Sequence, residues 1–204
     1  MIILAFDTCL DKTYAVLKRD DTVLASQTIE NHESKYHSAF LISTLQKILS
    51  ENSIKPQDID LIATNIGPGS FTGIRACTTV ARVMAQQLNC KTIGLSSLEI
   101  LANTGAENPL VALDARKDCA YLYYNNEIKG AVKLDEVKNI IKSGNFDIIT
   151  DNKLVNILGG VPYETQNFAL GEILAKLAQE KIQSQNTDWQ NLKPLYIQPP
   201  PVSM

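Results

Sequence analysis

Short apolar runs separated by polar turns open the chain. Residues 2–6 form an uninterrupted apolar run suited to a central strand, and residues 13–17 and 22–29 are two further strand candidates across polar stretches. Three strands joined by tight polar turns predict an antiparallel meander. The period then changes. Phe40, Leu41, Leu45, Ile48 and Leu49 recur at helical spacing, which predicts a helix over residues 36–49 with Ser34 as its N-cap. Pro56 ends any helix before it. Residues 59–65 read as a strand feeding Gly67-Pro68-Gly69, residues 71–88 as a second helix, 91–94 as a short strand and 96–103 as a short helix.

Past the loop 104–109 the alternation continues. Strands are predicted over 110–113 and 120–124, a helix over 134–143, a strand over 147–150 and an amphipathic helix over 168–183. Pro199-Pro200-Pro201 favours an extended polyproline conformation. No fixed-period repeat is visible. A meander followed by strand–helix alternation predicts an α/β protein with mixed strand directions. The expected division is a first lobe over residues 1–104, a shorter second lobe over 105–190 and a tail over 191–204.

Composition narrows the function classes. Of 204 residues, 45% are apolar and 20% charged, ordinary values for a folded domain. The net charge is −3 and the pI about 5.4, with the 19 Lys and Arg spread along the chain. A free-standing nucleic-acid binder shows a basic domain or face, so direct RNA binding is not expected. No stretch approaches a membrane span, and the apolar start lacks the basic flank of a signal peptide. A cytoplasmic protein without membrane contact is expected. Cys9, Cys77, Cys90 and Cys119 form no C-x-x-C pair, and read as reduced, small apolar residues.

The most specific local segment runs from Asn65 to Arg75, NIGPGSFTGIR. Gly67-Pro68-Gly69 makes a stiff strand-to-helix turn with little bulk. The amides of Gly69 and Ser70, at the helix start, are expected to be open to a phosphate or another chain. No Gly-Lys-Ser/Thr follows, so this is not a Walker loop. In the following helix Gly73, Cys77, Ala81 and Ala85 lie four apart and are all small. Such a row makes a low ridge that another helix can approach closely. Two readings stay open: packing against this chain's own elements, or reception of a partner's helix pair.

Together these segments resemble the TsaB (YeaZ) family: Ile3-Leu4-Ala5-Phe6-Asp7-Thr8, the stretch from Gly67 to Arg75, Leu113-Asp114-Ala115-Arg116 and the terminal Pro194-Leu195-Tyr196. The resemblance implies an actin-like ATPase (ribonuclease H-like) fold of two lobes, each a mixed sheet flanked by helices. It further implies a scaffold and activator of a catalytic TsaD-like subunit. With a TsaE-like ATPase, that assembly transfers a threonylcarbamoyl group to the tRNA adenosine beside the anticodon. Partner contacts are expected from Tyr36, Phe40, Gly73, Ala76, Cys77, Val80, Ala81, Met84 and Ala85. A homodimer is expected when the partner is absent, tRNA is met only through the complex, and no cofactor is held firmly. ATP is expected, if anywhere, at an interface of the assembly, with Asp7, Thr8, Gly67, Gly69 and Ser70 as phosphate contacts.

Catalytic groups are sparse. TsaD-type enzymes hold a metal with an H-x-x-x-H pair, and the matching positions here are Ser97 and Leu101; leucine cannot ligate a metal and serine is a poor ligand for iron or zinc. His32 and His37 are five apart, roughly 140° around a helix, too far to share one metal. No metal site and no catalytic residue are therefore expected. Asp7, with Asp11 nearby, suits either a turn cap or the metal- or phosphate-handling acid that actin-fold enzymes place there. Asp114 and Arg116 are expected to project to the same side of an extended segment, which suits a salt bridge or a cross-lobe hydrogen bond. Gln198 stands where the family usually has arginine. The competing reading is a metal-independent enzyme on the same fold: a carbamoyltransferase, a glycoprotease-like hydrolase or an ATPase.

Overall fold

The computed structural model describes residues 1–30 and 40–197. Ser34, Tyr36, His32, His37, Gln198 and the polyproline tail, all singled out above, lie outside the described residues. Strands β1 (Ile2–Asp7), β2 (Thr13–Arg19) and β3 (Thr22–Ile29) form the expected meander, and β4 (Leu61–Gly67) and β5 (Lys91–Ser96) extend it in parallel. The order is β3-β2-β1-β4-β5, with Ala5 of β1 opposite Val16 of β2 on one side and Ala63 of β4 on the other. β1 is covered on both faces, which is why it reads as continuous apolar sequence rather than alternation.

Helices α1 (Leu41–Glu51) and α2 (Phe71–Leu88) cover one face of this sheet, sharing a core with Leu4, Phe6, Ala15, Leu17 and Ile62. α2 starts at Ser70, whose hydroxyl accepts from the Gly73 amide at 3.3 Å, and ends on Asn89 in the left-handed region at φ 53°. The opposite face is covered by α6 (Leu170–Lys181). There Gly171 sits so close that a Cβ would lie 2.8 Å from Val16 and 3.1 Å from Tyr14.

That return of the chain changes the expected division. One compact unit is Met1–Ser97 together with Leu170–Leu195; the other is Leu98–Ala169 with residues 196–197. The boundaries at 104 and 190 placed α6 in the second lobe. Its amphipathic pattern declares one apolar face, with Leu170, Leu174, Ala175 and Ala178 buried, but says nothing of which sheet that face covers.

The second unit repeats the plan of the first. α3 (Ser97–Ala102) leads to β6 (Pro109–Asp114), β7 (Cys119–Tyr124) and β8 (Glu127–Lys133), a second antiparallel meander. Then come α4 (Leu134–Ser143), β9 (Asp147–Thr150), α5 (Val155–Leu158) and β10 (Val161–Pro162). The order β10-β9-β6-β7-β8 matches the first sheet strand for strand. Leu110, Ala112, Ala120 and Leu122 meet Val137, Leu154 and Leu158 in its core. Two mixed sheets of one topology, each flanked by helices, make the actin-like, ribonuclease H-like fold. β8, α5 and β10 were not foreseen. The signal for β8 is Asn125-Asn126, both left-handed at φ 51° and 59°, a two-residue hairpin turn made without glycine.

Candidate functional site

The Gly67–Ser70 turn, the loop after β1 and the start of α2 interlock. A Cβ on Gly69 would lie 2.3 Å from the Cys9 carbonyl oxygen, and one on Gly73 would lie 1.9 Å from that of Thr8. Both glycines are therefore required by the β1–β2 loop that lies across them. The Ser70 amide donates to the Cys9 carbonyl at 2.7 Å. This corrects the expectation that it stands open to a phosphate: the neighbouring loop already takes it.

Asp7 is the buried charge of this junction, 1% exposed. One carboxylate oxygen accepts from the Cys9 amide at 2.6 Å and the other from Asn65 Nδ2 at 2.9 Å, so of the two readings the geometry realises the turn cap. Burial pushes its pKa up to about 6, and the bonds from Asn65 and Cys9 offset only part of that rise. Asn65, fully buried, joins the parts. Its Oδ1 accepts from the Gly67 amide at 2.8 Å and from Ser97 Oγ at 3.0 Å, and its carbonyl accepts from Cys9 Sγ at 3.4 Å. Thr8 donates its amide to Cys77 Sγ at 3.2 Å and its hydroxyl to the Gly73 carbonyl at 3.1 Å.

Asp7, Cys9 and Cys77 bring one ligand atom each within 4.8 Å of one another. A carboxylate and two thiols could in principle hold a soft divalent metal. Each of those donors already serves a hydrogen bond, and burial pushes the Cys9 thiol up, away from the thiolate a metal requires. The arrangement fits a bonded junction and does not fit a metal centre. Ser97 is engaged with Asn65, and Leu101 is wholly buried.

In the second unit, Asp114 does not pair with the Arg116 side chain as expected. Arg116, Lys117 and Asp118 are left-handed, at φ 62°, 50° and 55°, so the segment is not extended. Asp114 instead accepts from the Arg116 amide at 2.9 Å and from Lys153 Nζ at 2.8 Å. Burial acts the other way, but Lys153 and the Arg116 amide hold Asp114 below the ordinary carboxylate range.

The small ridge of α2 faces inward. Cys77, Ala81 and Ala85 have no exposed surface, and Gly73 lies under the Thr8 carbonyl. These four, expected at a partner interface, are covered by their own sheet and loop. Ala76, Val80 and Met84 are half-buried, the last two packed against the edge of the core. The outward row is Phe71, Arg75, Thr79 and Val83, also spaced by four, with the Arg75 guanidinium 4.1 Å above the Phe71 ring. Phe71 is 45% exposed and Val83 53%; at α1, on the same face of the sheet, Phe40 is 60% and Ile42 46% exposed.

A family model described as TsaD, tRNA N6-adenosine threonylcarbamoyltransferase, matches residues 22–146. The tRNA threonylcarbamoyladenosine biosynthesis protein TsaB of Bacillus subtilis is 34% identical over 142 residues, 67% of this chain and 61% of that protein. The chain belongs to the TsaB (YeaZ) family. The Escherichia coli TsaB is 31% identical over 148 residues, covering 70% of this chain and 63% of its own length. This TsaB-family chain thus spans about three-fifths of the curated relatives it matches. A solved structure described as an uncharacterized protein with similarity to peptidase YEAZ, from Pseudomonas aeruginosa, superposes with a TM-score of 0.77 over 97% of this chain and 99% of that one, at 23% identity. At that identity it speaks to fold.

Two features of the family motif escape a reading of the sequence. Asn65 opens the motif, but its role at the junction depends on Asp7, Gly67 and Ser97 meeting around it in three dimensions. The exposed row Phe71–Val83 had a signal: two large apolar residues on the four-residue period opposite the small ones.

Proposed function

We propose that this protein is a non-catalytic subunit that pairs, through the outer faces of α1 and α2, with a TsaD-like enzyme making threonylcarbamoyladenosine in tRNA. The observation that carries the reading is the exposed apolar set Phe40, Ile42, Phe71 and Val83 on one helical layer. Isolated exposed apolar residues are ordinary, whereas a contiguous apolar patch marks an interaction surface. The TsaD match supports the choice of partner, since residues 22–146 include both helices. A TsaD-like subunit therefore carries an equivalent pair, and two such pairs meet about a pseudo-twofold axis. The same geometry lets two copies of this chain meet when the enzyme is absent. Catalysis, metal binding and tRNA contact belong to the partner, and ATP turnover to a TsaE-like subunit.

Co-purification with the TsaD-like subunit tests this directly. Val83→Glu and Ile42→Glu are expected to abolish association and to lower tRNA modification in a reconstituted assay, with unchanged circular dichroism and melting. Undiminished capture of the partner by both variants would refute the assigned surface. ATP hydrolysis by the purified chain alone, lost in Asp7→Ala, would favour the enzyme reading instead.

A further inference from the structure

A pocket of about 250 Å³ opens at the free edge of the first sheet, between β5 and the segment that follows α6. Its walls are pinned at two points. The Thr187 carbonyl accepts from the Thr92 amide at 2.9 Å, and the Leu195 amide donates to the Ile66 carbonyl at 2.8 Å. Between these pins the chain makes the turn Trp189–Asn191. Arg82 braces this segment, donating to the Leu192 carbonyl at 3.4 Å and lying over the Trp189 ring. Ile66 and Leu192 close the floor over Gly94, where a Cβ would come within 2.5 Å and 2.7 Å of their side chains.

Two kinds of binding group face this space. Thr92 turns its amide to the outer edge of β5, so the two-residue period of a strand turns the N–H and C=O of Gly94 to the same edge. Neither has a partner among the described residues. The second kind is a pair of opposite charges, Asp188 and Lys193. Neither enters an ion pair among the described residues. Asp188 is held in place because one of its oxygens accepts from the Gln190 amide at 3.0 Å. Its other oxygen has no bond among the described residues. The amides of Asn186 and Asn191 complete the rim.

We propose that this pocket binds a small free α-amino acid. The ammonium group is recognised by Asp188 and the carboxylate by Lys193 with the Gly94 amide, while a short side chain rests on Ile66 and Leu192. The volume lies below the ~300–1,000 Å³ of pockets for drug-sized ligands, which suits so small a molecule. One cation beside one anion favours a zwitterion over a phosphate, which gathers several donors and no carboxylate. None of the pocket's lining residues belongs to α1 or α2, so the site stands whether or not the pairing with a TsaD-like subunit does.

The test is an amide NMR titration of the whole chain with alanine and serine, alongside N-acetylalanine and alaninamide. The amides of Gly94 and Asn191 are expected to shift saturably for the free amino acids, with a dissociation constant on the order of 1–10 mM. The two blocked compounds are expected to bind about two- to fivefold more weakly, and so are alanine and serine to Lys193→Gln and Asp188→Asn. Both variants are surface changes, and asparagine keeps the acceptor for the Gln190 amide, so the remaining spectrum certifies the fold. Unmoved Gly94 and Asn191 signals at roughly 50 mM amino acid overturn the proposal. Equal binding of a blocked compound, or variants that bind as the parent does, overturns it as well.

Discussion

Asp7 carries its charge at a cost in stability. Its pKa is raised from 3.8 to about 6, chiefly by burial, so the native state holds the proton more tightly than the unfolded chain does. A raised pKa contributes stability that is complete below pH 4 and is lost as the pH climbs through 6. Two units correspond to about 3 kcal/mol. Asp7→Asn removes this dependence, and the rearrangement that its amide imposes on Asn65 is the same at every pH. Denaturant melts at pH 4 and pH 7.5 should therefore show the variant gaining on the parent by an amount of that order; parallel curves would mean that Asp7 titrates normally. Thr150 makes a different case. Its hydroxyl is wholly buried and has no partner among the described residues, on the face where Ala112 and Leu110 meet Leu154 and Leu158. Thr150→Val keeps the shape and removes the unsatisfied group, so it should stabilise by about 1 kcal/mol in the same melts.

Helix α2 shows what an element's pattern does and does not disclose. Two rows of period four run along it, small residues on one side and Phe71, Arg75, Thr79 and Val83 on the other. The small row packs against the β1–β2 loop and the sheet, where Gly73→Ala would drive a methyl into the Thr8 carbonyl. That variant should lose about 2–4 kcal/mol or fail to fold, whereas Thr79→Ala on the exposed row should change stability by less than about 0.5 kcal/mol. Thermal melts separate the two. Gly73 therefore cannot report on partner binding, and substitutions on the outer row can. The helix was legible because its period, the serine before it and the asparagine after it are all local. Its orientation was not, since small residues suit a close approach by a sheet as well as by a foreign helix. The β7–β8 hairpin was missed for a related reason. Asn-Asn turns the chain as Asn-Gly does, but its left-handed backbone costs more without glycine.

At the scale of the molecule, the first unit is completed by a segment more than 70 residues downstream in the chain. Without residues 170–195, one face of its sheet would expose Ile3, Ala5, Val16, Leu61 and Ala63, all buried here. A fragment of residues 1–97 should therefore stay unfolded or aggregate, and a co-expressed peptide of residues 170–195 should restore native amide dispersion in NMR spectra. A well-dispersed spectrum from the fragment alone would show that α6 is dispensable. The repeated topology of the two sheets left only a short trace in the sequence, Ala5-Phe6-Asp7 of β1 against Ala112-Leu113-Asp114 of β6, because a strand order constrains burial and turn geometry more than residue identity. The meander, most helices, the absence of a histidine pair at 97 and 101, and membership of the family follow from the chain alone, for periodicity and motif are properties of neighbouring residues. Which row of α2 lies inside, that Ser70 gives its amide to Cys9, that Asp7 caps a turn and that α6 returns to the first sheet were decided only by tertiary structure. Each depends on which distant segment arrives to cover a surface, and a local pattern announces the surface without naming its cover.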